Sequence, residues 1–232
     1  MSGGIFITGT DTGVGKTRAA LFMMDVLQRR GLRVVGMKPV ATGATWHQGR
    51  LVNDDALALQ RAGSLPLPYG KINPFVYAPP TAPHIAAAHT GQPIDIARIV
   101  EKFLELRESA EVVVVEGAGG WKVPLGSGLA MDDLARALGL PVLLVVGLRL
   151  GCLNHAALTR AAIAQSGARF SGWIANRLVQ DFPDVAETLD TLESELGCRP
   201  LAVLPHRAEP GGFSDVEVCR WGLDEILRGL TS

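Results

Sequence analysis

Two hydrophobic patterns alternate along this chain. Short apolar runs, typical of strands buried on both faces of a parallel sheet, occur at residues 5–7, 33–38, 112–115, 142–146, 172–176 and 201–204. Between them lie segments with helical spacing, at residues 17–30, 54–62, 95–109, 153–166, 185–196 and about 216–230. The stretch at 40–53 and the proline-rich stretch at 64–83 have neither pattern and are predicted to be irregular.

This alternation of strands and helices predicts the fold. Repeated βα units with short connections favour an α/β fold, in which helices cover both faces of a mostly parallel β-sheet. A chain of 232 residues fits one such domain, so we expect residues 1–232 to form a single domain. Ligands of these sheets bind beyond the carboxyl ends of the strands. The residues that follow each strand are therefore the candidates for function.

A glycine-rich loop follows the first strand directly. Residues 9–17 have the sequence Gly-Thr-Asp-Thr-Gly-Val-Gly-Lys-Thr and precede an apolar helix, which is the order of a phosphate-binding P-loop. Its first glycine lies one residue earlier than in the common pattern. Backbone N–H groups of the loop and the N-terminus of the helix are expected to surround a phosphate. The predicted nucleotide-binding residues here are Gly13, Val14, Gly15, Lys16, Thr17 and Arg18.

Two side chains of this loop have specific expected roles. Lys16 is placed to reach the β- and γ-phosphate oxygens, and the Thr17 hydroxyl is placed to bind Mg²⁺. The alternative interpretation is a glycine-rich turn that only caps a helix. Because the loop stands between a strand and an apolar helix, the sequence predicts a P-loop NTPase that binds a nucleoside triphosphate.

Charged residues end two later strands. Glu116 follows the four-valine strand, and the turn Gly117, Ala118, Gly119 comes next, so Glu116 is a candidate second ligand of Mg²⁺. The alternatives for Glu116 are a helix cap or a solvated loop acid. Lys38 ends the second strand and is a candidate to neutralise a transferred phosphoryl group. Its alternative is a surface lysine.

Three polar residues follow Lys38. Thr42 lies in a Thr-Gly loop and is a candidate to hydrogen-bond a bound ligand. Asp54 and Asp55 begin the helix at 54–62, where carboxylates also cap the N-terminus. Taken locally, the sequence favours capping for one of these two aspartates.

The strand at 172–176 ends in Asn176, and Arg177 follows it. An asparagine amide offers a donor and an acceptor, which match the N6 and N7 edge of adenine. Guanine-specific P-loop proteins carry Asn-Lys-x-Asp at this point, whereas this chain has Asn-Arg-Leu-Val, which favours ATP over GTP. Pro205, His206 and Arg207 follow the next strand and are expected to wall the same base pocket.

Composition excludes several classes of function. The net charge is −1 and the basic residues are scattered, so no surface for nucleic acid or an anionic membrane is indicated. The longest apolar runs are too short to span a bilayer, and no signal peptide is recognised. Three cysteines without pairing or metal spacing indicate free thiols in a reducing cytoplasm. The histidines lack the spacing of a zinc helix.

Seven segments together resemble the dethiobiotin synthetase family. They are residues 9–17, 38–40, 55–60, 80–84, 115–121, 150–156 and 172–176, and the resemblance extends from Thr8 to about Pro205. A single P-loop is shared by very many ATPases, but seven matching segments in the same order are specific. Some relatives carry an acidic residue where this chain has Gly13, and the part after His206 matches poorly.

The resemblance implies a particular reaction. ATP and CO₂ would act on 7,8-diaminopelargonic acid: one amine forms a carbamate, ATP phosphorylates it, and the second amine closes the ureido ring. Mg²⁺ would be held by Thr17, Asp55 and Glu116, which changes the local interpretation of Asp55 from cap to ligand. Lys16 and Lys38 would neutralise charge and be catalytic together with Thr12, while Thr12, Lys38 and Thr42 would bind the carbamate.

The resemblance also implies a homodimer with shared active sites. The turn formed by Gly151, Cys152, Leu153 and Asn154 would bind the substrate's tail carboxylate across the interface. Two other classes stay open. Cobyrinate-amidating ligases share the loop but usually add a glutamine-hydrolysing domain, for which this length leaves no room. Partition or septum-positioning ATPases place a second lysine early in the loop, where this chain has Asp11.

Overall fold

A computed structural model describes residues 3–206 and, beyond them, residues 213, 216, 218, 219, 223, 224 and 226. The helix predicted at about 216–230 lies largely outside the described residues, and Arg207 lies outside them altogether. All three cysteines are described and are free. Within the described part of the chain, no helix combines the length and apolar character needed to cross a membrane.

The described part of the chain contains twelve strands and eight helices. The strands are β1 (Gly3–Gly9), β2 (Val34–Met37), β3 (Val40–Ala41), β4 (Thr45–His47), β5 (Arg50–Val52), β6 (Phe75–Val76), β7 (Val112–Glu116), β8 (Pro124–Gly126), β9 (Leu129–Ala130), β10 (Val142–Leu148), β11 (Phe170–Arg177) and β12 (Ala202–Leu204). The helices are α1 (Lys16–Gln28), α2 (Asp54–Ala62), α3 (Tyr69–Ile72), α4 (Pro83–Thr90), α5 (Ile96–Ser109), α6 (Met131–Leu138), α7 (Cys152–Gln165) and α8 (Val185–Leu196).

Six of the strands form one parallel sheet in the order β12-β11-β10-β1-β7-β2. Helices cover both faces of this sheet. The packing of β10 explains why its sequence is apolar throughout. Leu143 and Val145 pack in the larger hydrophobic cluster, whereas Leu144 and Val146 pack in a second cluster with residues of α7 and α8. Successive side chains of a strand point to opposite faces, so a strand covered on both sides has no polar alternation. The predicted α/β class is confirmed.

The order of the strands explains where the site lies. β1 is central, with β7 on one side and β10 on the other, so the P-loop leaves the sheet between their carboxyl ends. β2 pairs with β7 in a register that sets Met37 opposite Val115. The next residues of the two strands, Lys38 and Glu116, therefore leave the sheet side by side. A parallel register brings together residues 78 positions apart in the sequence.

Two stretches predicted to be irregular contain regular structure. Residues 40–53 include an antiparallel hairpin of β4 and β5, whose turn residues Gln48 and Gly49 both have positive φ, as two-residue hairpin turns require. Residues 64–83 include α3 and β6, and β6 pairs in parallel with β3. These elements are two to four residues long, which is too short for a hydrophobic period to be visible in the sequence.

Candidate active site

The P-loop requires glycine at two positions for different reasons. Gly13 has φ 74° and a Cβ there would meet no atom within 4 Å, so only its backbone conformation favours glycine. Gly15 has φ 92° and caps α1, and a Cβ there would lie 2.1 Å from Nδ2 of Asn176. The loop is also held by its own polar groups. Asp11 accepts a hydrogen bond from the Thr12 N–H at 2.7 Å and pairs with Arg149.

Lys16 is the first residue of α1, and its side chain is buried against the P-loop. The residue is 7% exposed, and its Nζ donates to the backbone carbonyl of Asp11 at 2.9 Å. Burial lowers the pKa of Lys16 to about 8, and the positive charge of Lys38 is the second cause of this shift. The carboxylates of Glu116, Asp55 and Asp11 offset this shift only in part, so an anion that enters the loop gains an electrostatic attraction.

The second cluster of charges consists of Lys38, Asp55 and Glu116. Nζ of Lys38 lies 2.9 Å from Oδ2 of Asp55 and also donates to Oε1 of Glu116. Lys38 and Glu116 are buried, at 4% and 1% exposure. Lys38 is therefore not the surface lysine of the alternative interpretation, and Glu116 is not a solvated loop acid.

The pKa shifts within this cluster follow from burial and charge pairing. Burial lowers the pKa of Lys38, but the carboxylates of Glu116 and Asp55 outweigh it, so the net shift is upward. Burial raises the pKa of Glu116, and Lys38 offsets this only in part. For Asp55, whose side chain is 43% exposed, burial is outweighed by the Lys38 charge and the pKa falls. The buried glutamate therefore depends on a nearby cation to remain ionised.

Thr17 brings a third oxygen to these carboxylates. Its hydroxyl donates to Oε1 of Glu116 at 2.9 Å, while Oε2 of Glu116 is buried and has no hydrogen-bond partner among the described residues. Two carboxylates and a hydroxyl are hard oxygen ligands, and Mg²⁺ commonly takes a few such ligands and completes its shell with phosphate and water. The three predicted metal ligands thus lie together, and the unpartnered Oε2 fits a cation at this point.

Capping of α2 differs from the local prediction. Neither Asp54 nor Asp55 caps the helix; the Oδ1 of Asn53 accepts the N–H of Ala56 at 3.3 Å. Asn53 directly precedes the first helical residue, which is the position at which a side chain reaches the free N–H groups. The carboxylate of Asp55 is therefore free to face Lys38.

A cavity of about 690 Å³ connects the P-loop with the Lys38 cluster. Eleven of the 23 predicted site residues line it: Thr12, Gly13, Gly15, Lys16, Thr17, Lys38, Thr42, Asp55, Glu116, Ala118 and Gly119. Residues without an assigned role also line it: Val40, Ala41, Asn53, Pro80, Thr81, Ala82, Pro83 and Val123. Residues 80–83 belong to one of the seven segments of the sequence resemblance, which was the available signal for them.

Asn176, which was predicted to bind the base, is hydrogen-bonded to two other parts of the chain. Its Nδ2 donates to the carbonyl of Val14 at 3.0 Å, and its Oδ1 accepts from Arg18 at 2.9 Å. Arg18 also donates to the carbonyl of Pro205 at 2.6 Å. The neighbours of the amide force its orientation, because a guanidinium only donates and a carbonyl only accepts. Residues from three separate strand ends and α1 thus meet here, and base recognition by Asn176 stays a prediction.

Seven described residues that were predicted to bind the nucleotide do not line this cavity: Val14, Arg18, Gly117, Asn176, Arg177, Pro205 and His206. Gly117 packs against the ring of Phe6, where a Cβ would lie 3.1 Å from Cζ. Arg177 donates to the carbonyl of Gln180 at 2.8 Å in its own turn, and His206 is exposed. Arg207 lies outside the described residues.

The turn at 151–154 lies at the N-terminus of α7 and lines none of this cavity. Gly151 caps the helix with φ 91°. Leu150, directly before the turn, is 97% exposed, and Leu153 and Leu158 are exposed as well. Exposed leucines therefore precede the turn, lie within it and follow it along α7.

A parallel sheet with a P-loop after its central strand, and an acid at the end of the adjacent strand, places the chain among the P-loop NTPases. A family model described as an AAA domain matches residues 3–211. A ParA family ATPase from Chlorobium tepidum has a TM-score of 0.55 at 13% identity over 100% of this chain and 91% of its own. The MinD cell division protein of Aquifex aeolicus has 0.53 at 17% identity, over 98% and 87%. These two likenesses show the fold alone.

Sequence relatives decide the family. The ATP-dependent dethiobiotin synthetase of Aromatoleum aromaticum is 48% identical over 203 residues, which are 88% of this chain and 90% of the relative. A dethiobiotin synthetase of Salmonella typhi is 45% identical over 91% of this chain and 95% of its own length. The chain belongs to the family of ATP-dependent dethiobiotin synthetases.

Proposed function

We propose that this chain is an ATP-dependent ligase of biotin biosynthesis that converts 7,8-diaminopelargonic acid and CO₂ into dethiobiotin, with release of ADP and phosphate. The observation that carries the proposal is the 48% identity over nine-tenths of a dethiobiotin synthetase. The cavity supports it, because the P-loop and a second set of charges face one space. A reaction that transfers a phosphoryl group to a second substrate needs one set of groups for the nucleotide phosphates and another for the acceptor.

The proposed reaction has three bond-forming steps. One substrate amine adds to the carbon of CO₂ and loses a proton, which gives a carbamate. A carbamate oxygen then attacks the γ-phosphorus of ATP, and ADP leaves. The second amine attacks the carbonyl carbon, loses its proton, and inorganic phosphate leaves as the ring closes. Phosphoryl transfer depends mainly on positioning and on neutralisation of negative charge, which are the roles assigned to this site.

The residues divide this work. Lys16 binds the β- and γ-phosphate oxygens from below the P-loop, where its ammonium has one neutral acceptor. Thr12 and Thr42, which line the cavity, hold the carbamate by hydrogen bonds. Lys38 pairs with Asp55 and Glu116, and it serves the transferred phosphoryl group once these carboxylates bind Mg²⁺.

Mg²⁺ belongs to the same proposal. Thr17, Asp55 and Glu116 would hold the ion, and bound Mg²⁺ supplies neutralisation of the phosphate charge. The unpartnered, buried Oε2 of Glu116 supports this assignment. Asn176 and Arg18 are assigned to the adenine end of the nucleotide.

The proposal includes a homodimer. The turn at 151–154 lines none of its own cavity, which favours a role at the site of a second copy. Its N-terminal position on a 14-residue helix suits a carboxylate. Burial of Leu150, Leu153 and Leu158 in the interface would remove these apolar side chains from water.

Isotopic labelling of the product tests the function. The protein is supplied with ATP, Mg²⁺, ¹³C-bicarbonate and 7,8-diaminopelargonic acid, and the product is measured by mass spectrometry. We expect dethiobiotin with one ¹³C atom and one equivalent of ADP, and almost none with Lys16→Ala. ADP formation that does not depend on the diamine, without labelled dethiobiotin, would contradict the proposal.

A further inference from the structure

A short segment outside the cavity binds two parts of the active site at once. Tyr69 and Asn73, at the two ends of α3, form a buried hydrogen-bonded pair, and we name them the Tyr69–Asn73 clamp. The hydroxyl of Tyr69 donates to Oδ1 of Asn73 at 2.8 Å. The residues are 3% and 2% exposed. Neither lines the cavity, so neither touches a ligand bound there.

One arm of the clamp holds the main chain of Lys38. Nδ2 of Asn73 donates to the carbonyl of Lys38 at 2.7 Å, and also to that of Phe75 at 3.1 Å. The N–H of Lys38 donates to the carbonyl of Ile72, within the same segment, at 2.8 Å. Both backbone groups of Lys38 are thus fixed by residues 72–73. Lys38 needs this support because it lies directly after the end of β2.

The other arm of the clamp holds the start of α2. The hydroxyl of Tyr69 accepts the backbone N–H of Asn53 at 2.8 Å. Asn53 caps α2, and Asp55 lies in the first turn of that helix. The position of Asp55 therefore follows the position of Asn53. The guanidinium of Arg50 lies over the Tyr69 ring, 4.9 Å from its centroid, and covers the clamp from the hairpin side.

Every hydrogen-bond donor of the clamp side chains is engaged. The Tyr69 hydroxyl uses its proton and one lone pair, and both N–H groups of the Asn73 amide are engaged. A buried network with every donor paired has a single low-energy geometry. The network fixes the backbone positions from which the side chains of Lys38 and Asp55 extend. The charged atoms of these side chains are 2.9 Å apart.

We propose that Tyr69 and Asn73 are positioning residues, which align Lys38 with Asp55 through their main chains. The inference rests on the proposed function of Lys38 and Asp55 and adds two residues that sequence reasoning did not single out. Small displacements are costly in phosphoryl transfer, since a misplacement of about 1 Å can lower a rate about 10²-fold. Loosening the clamp is therefore expected to affect catalysis more than nucleotide binding.

The chain contains a matched control for the Tyr69 hydroxyl. Tyr77 is also buried, at 1% exposure, and its hydroxyl donates to the carbonyl of Gln92 at 2.8 Å. Tyr69→Phe and Tyr77→Phe each keep the ring and remove one buried hydroxyl. Both are expected to lower the melting temperature. Only Tyr69→Phe is expected to lower kcat, by about 10-fold or more, with little change in KM for ATP. It is also expected to raise the Mn²⁺ concentration for half-saturation, measured by electron paramagnetic resonance with a non-hydrolysable ATP analogue.

A second variant tests whether the pair acts as one device. Asn73→Asp keeps the acceptor for Tyr69 but removes the donors to Lys38 and Phe75. If the two residues form one clamp, the variant with both Tyr69→Phe and Asn73→Asp has about the same kcat as the single variant with the lower kcat. The reason is that the alignment of Lys38 with Asp55 is lost only once. Should Asn73→Asp not fold, the comparison of the two tyrosine variants still decides.

The inference is overturned if Tyr69→Phe and Tyr77→Phe match in kcat and in Mn²⁺ half-saturation. Multiplicative effects of Tyr69→Phe and Asn73→Asp on kcat would overturn the single clamp. Failure of the proposed function has a different signature, since the unmodified protein would then form no dethiobiotin.

Discussion

At the scale of single residues, two buried lysines with opposite pKa shifts define the site. Lys16 has a neutral backbone acceptor, and its pKa is lowered to about 8. Lys38 has two carboxylate partners, and its pKa is raised. The same side chain in the same cavity thus has two different electrostatic environments. Among the described residues, no carboxylate forms a direct ion pair with Lys16, whereas Lys38 pairs with both Asp55 and Glu116.

Removal of the Lys38 charge separates catalysis from nucleotide binding. Lys38→Ala is expected to lower kcat by about 10²-fold or more, the usual scale for one preorganised stabilising group, while ATP affinity measured by calorimetry changes little. Because Asp55 and Glu116 lose their cation, Mg²⁺ should raise the melting temperature of this variant more than that of the unmodified protein. A collapse of ATP affinity with a preserved kcat would instead make Lys38 a ground-state binding residue.

Neutral variants of the two carboxylates test the metal assignment. Glu116→Gln and Asp55→Asn keep the side-chain shape but remove the negative charge that attracts a cation. Each is expected to raise the Mg²⁺ concentration for half-maximal rate by about 10-fold or more. Asp54→Asn is the control, since Asp54 is an exposed neighbour on the same helix and does not line the cavity. Mg²⁺ titrations that are alike in all three variants would return Glu116 and Asp55 to structural roles.

At the scale of elements, the site depends on where helices and strands begin and end. α1 begins at Lys16, directly after the left-handed Gly15, and this places the N-terminus of the helix at the cavity. β2 and β7 end in register, which sets Lys38 beside Glu116. α2 begins after Asn53, which directs Asp55 inward. A shift of one residue at any of these ends would move a charged group out of the cavity.

A methyl group at Gly15 tests the contact between the P-loop and β11. Gly15→Ala has the backbone cost of a left-handed alanine, about 1–2 kcal/mol, and in addition displaces the Asn176 amide. Gly31→Ala is the control, because Gly31 has φ 82° and its Cβ would meet nothing within 4 Å. Both variants are expected to lower the melting temperature, but only Gly15→Ala should raise KM for ATP. Equal KM values would show that the Asn176 contact has no part in nucleotide binding.

At the scale of the whole molecule, one chain presents its reacting groups and its proposed tail-binding turn on separate surfaces. The cavity lies over β1, β2 and β7, while the turn at 151–154 follows β10 on the other side of β1. A two-fold dimer brings the turn of one copy to the cavity of the other only if both surfaces lie at the interface. The exposed leucines around the turn favour that arrangement.

Complementation between two inactive variants tests the shared site. Lys16→Ala damages the cavity, and Asn154→Asp places a negative charge beside the substrate carboxylate. Each homodimer has two damaged sites, whereas a mixed dimer has one site with both lesions and one intact site. Refolding the two together gives mixed dimers in about half of cases, each with one good site of two, so activity should approach about a quarter of the unmodified value. Sites contained within single chains would regain nothing.

The sequence by itself determined the six sheet strands, most of the long helices, the P-loop and the family. These features are local, because hydrophobic period and motif order are visible in contiguous residues. Only the tertiary structure decided the rest. It showed that Lys38 pairs with Asp55 and Glu116, that Asn53 rather than an aspartate caps α2, and that Tyr69 and Asn73 hold both ends of this cluster. These contacts depend on strand order and register, which join residues far apart in sequence and leave no periodic signal along the chain.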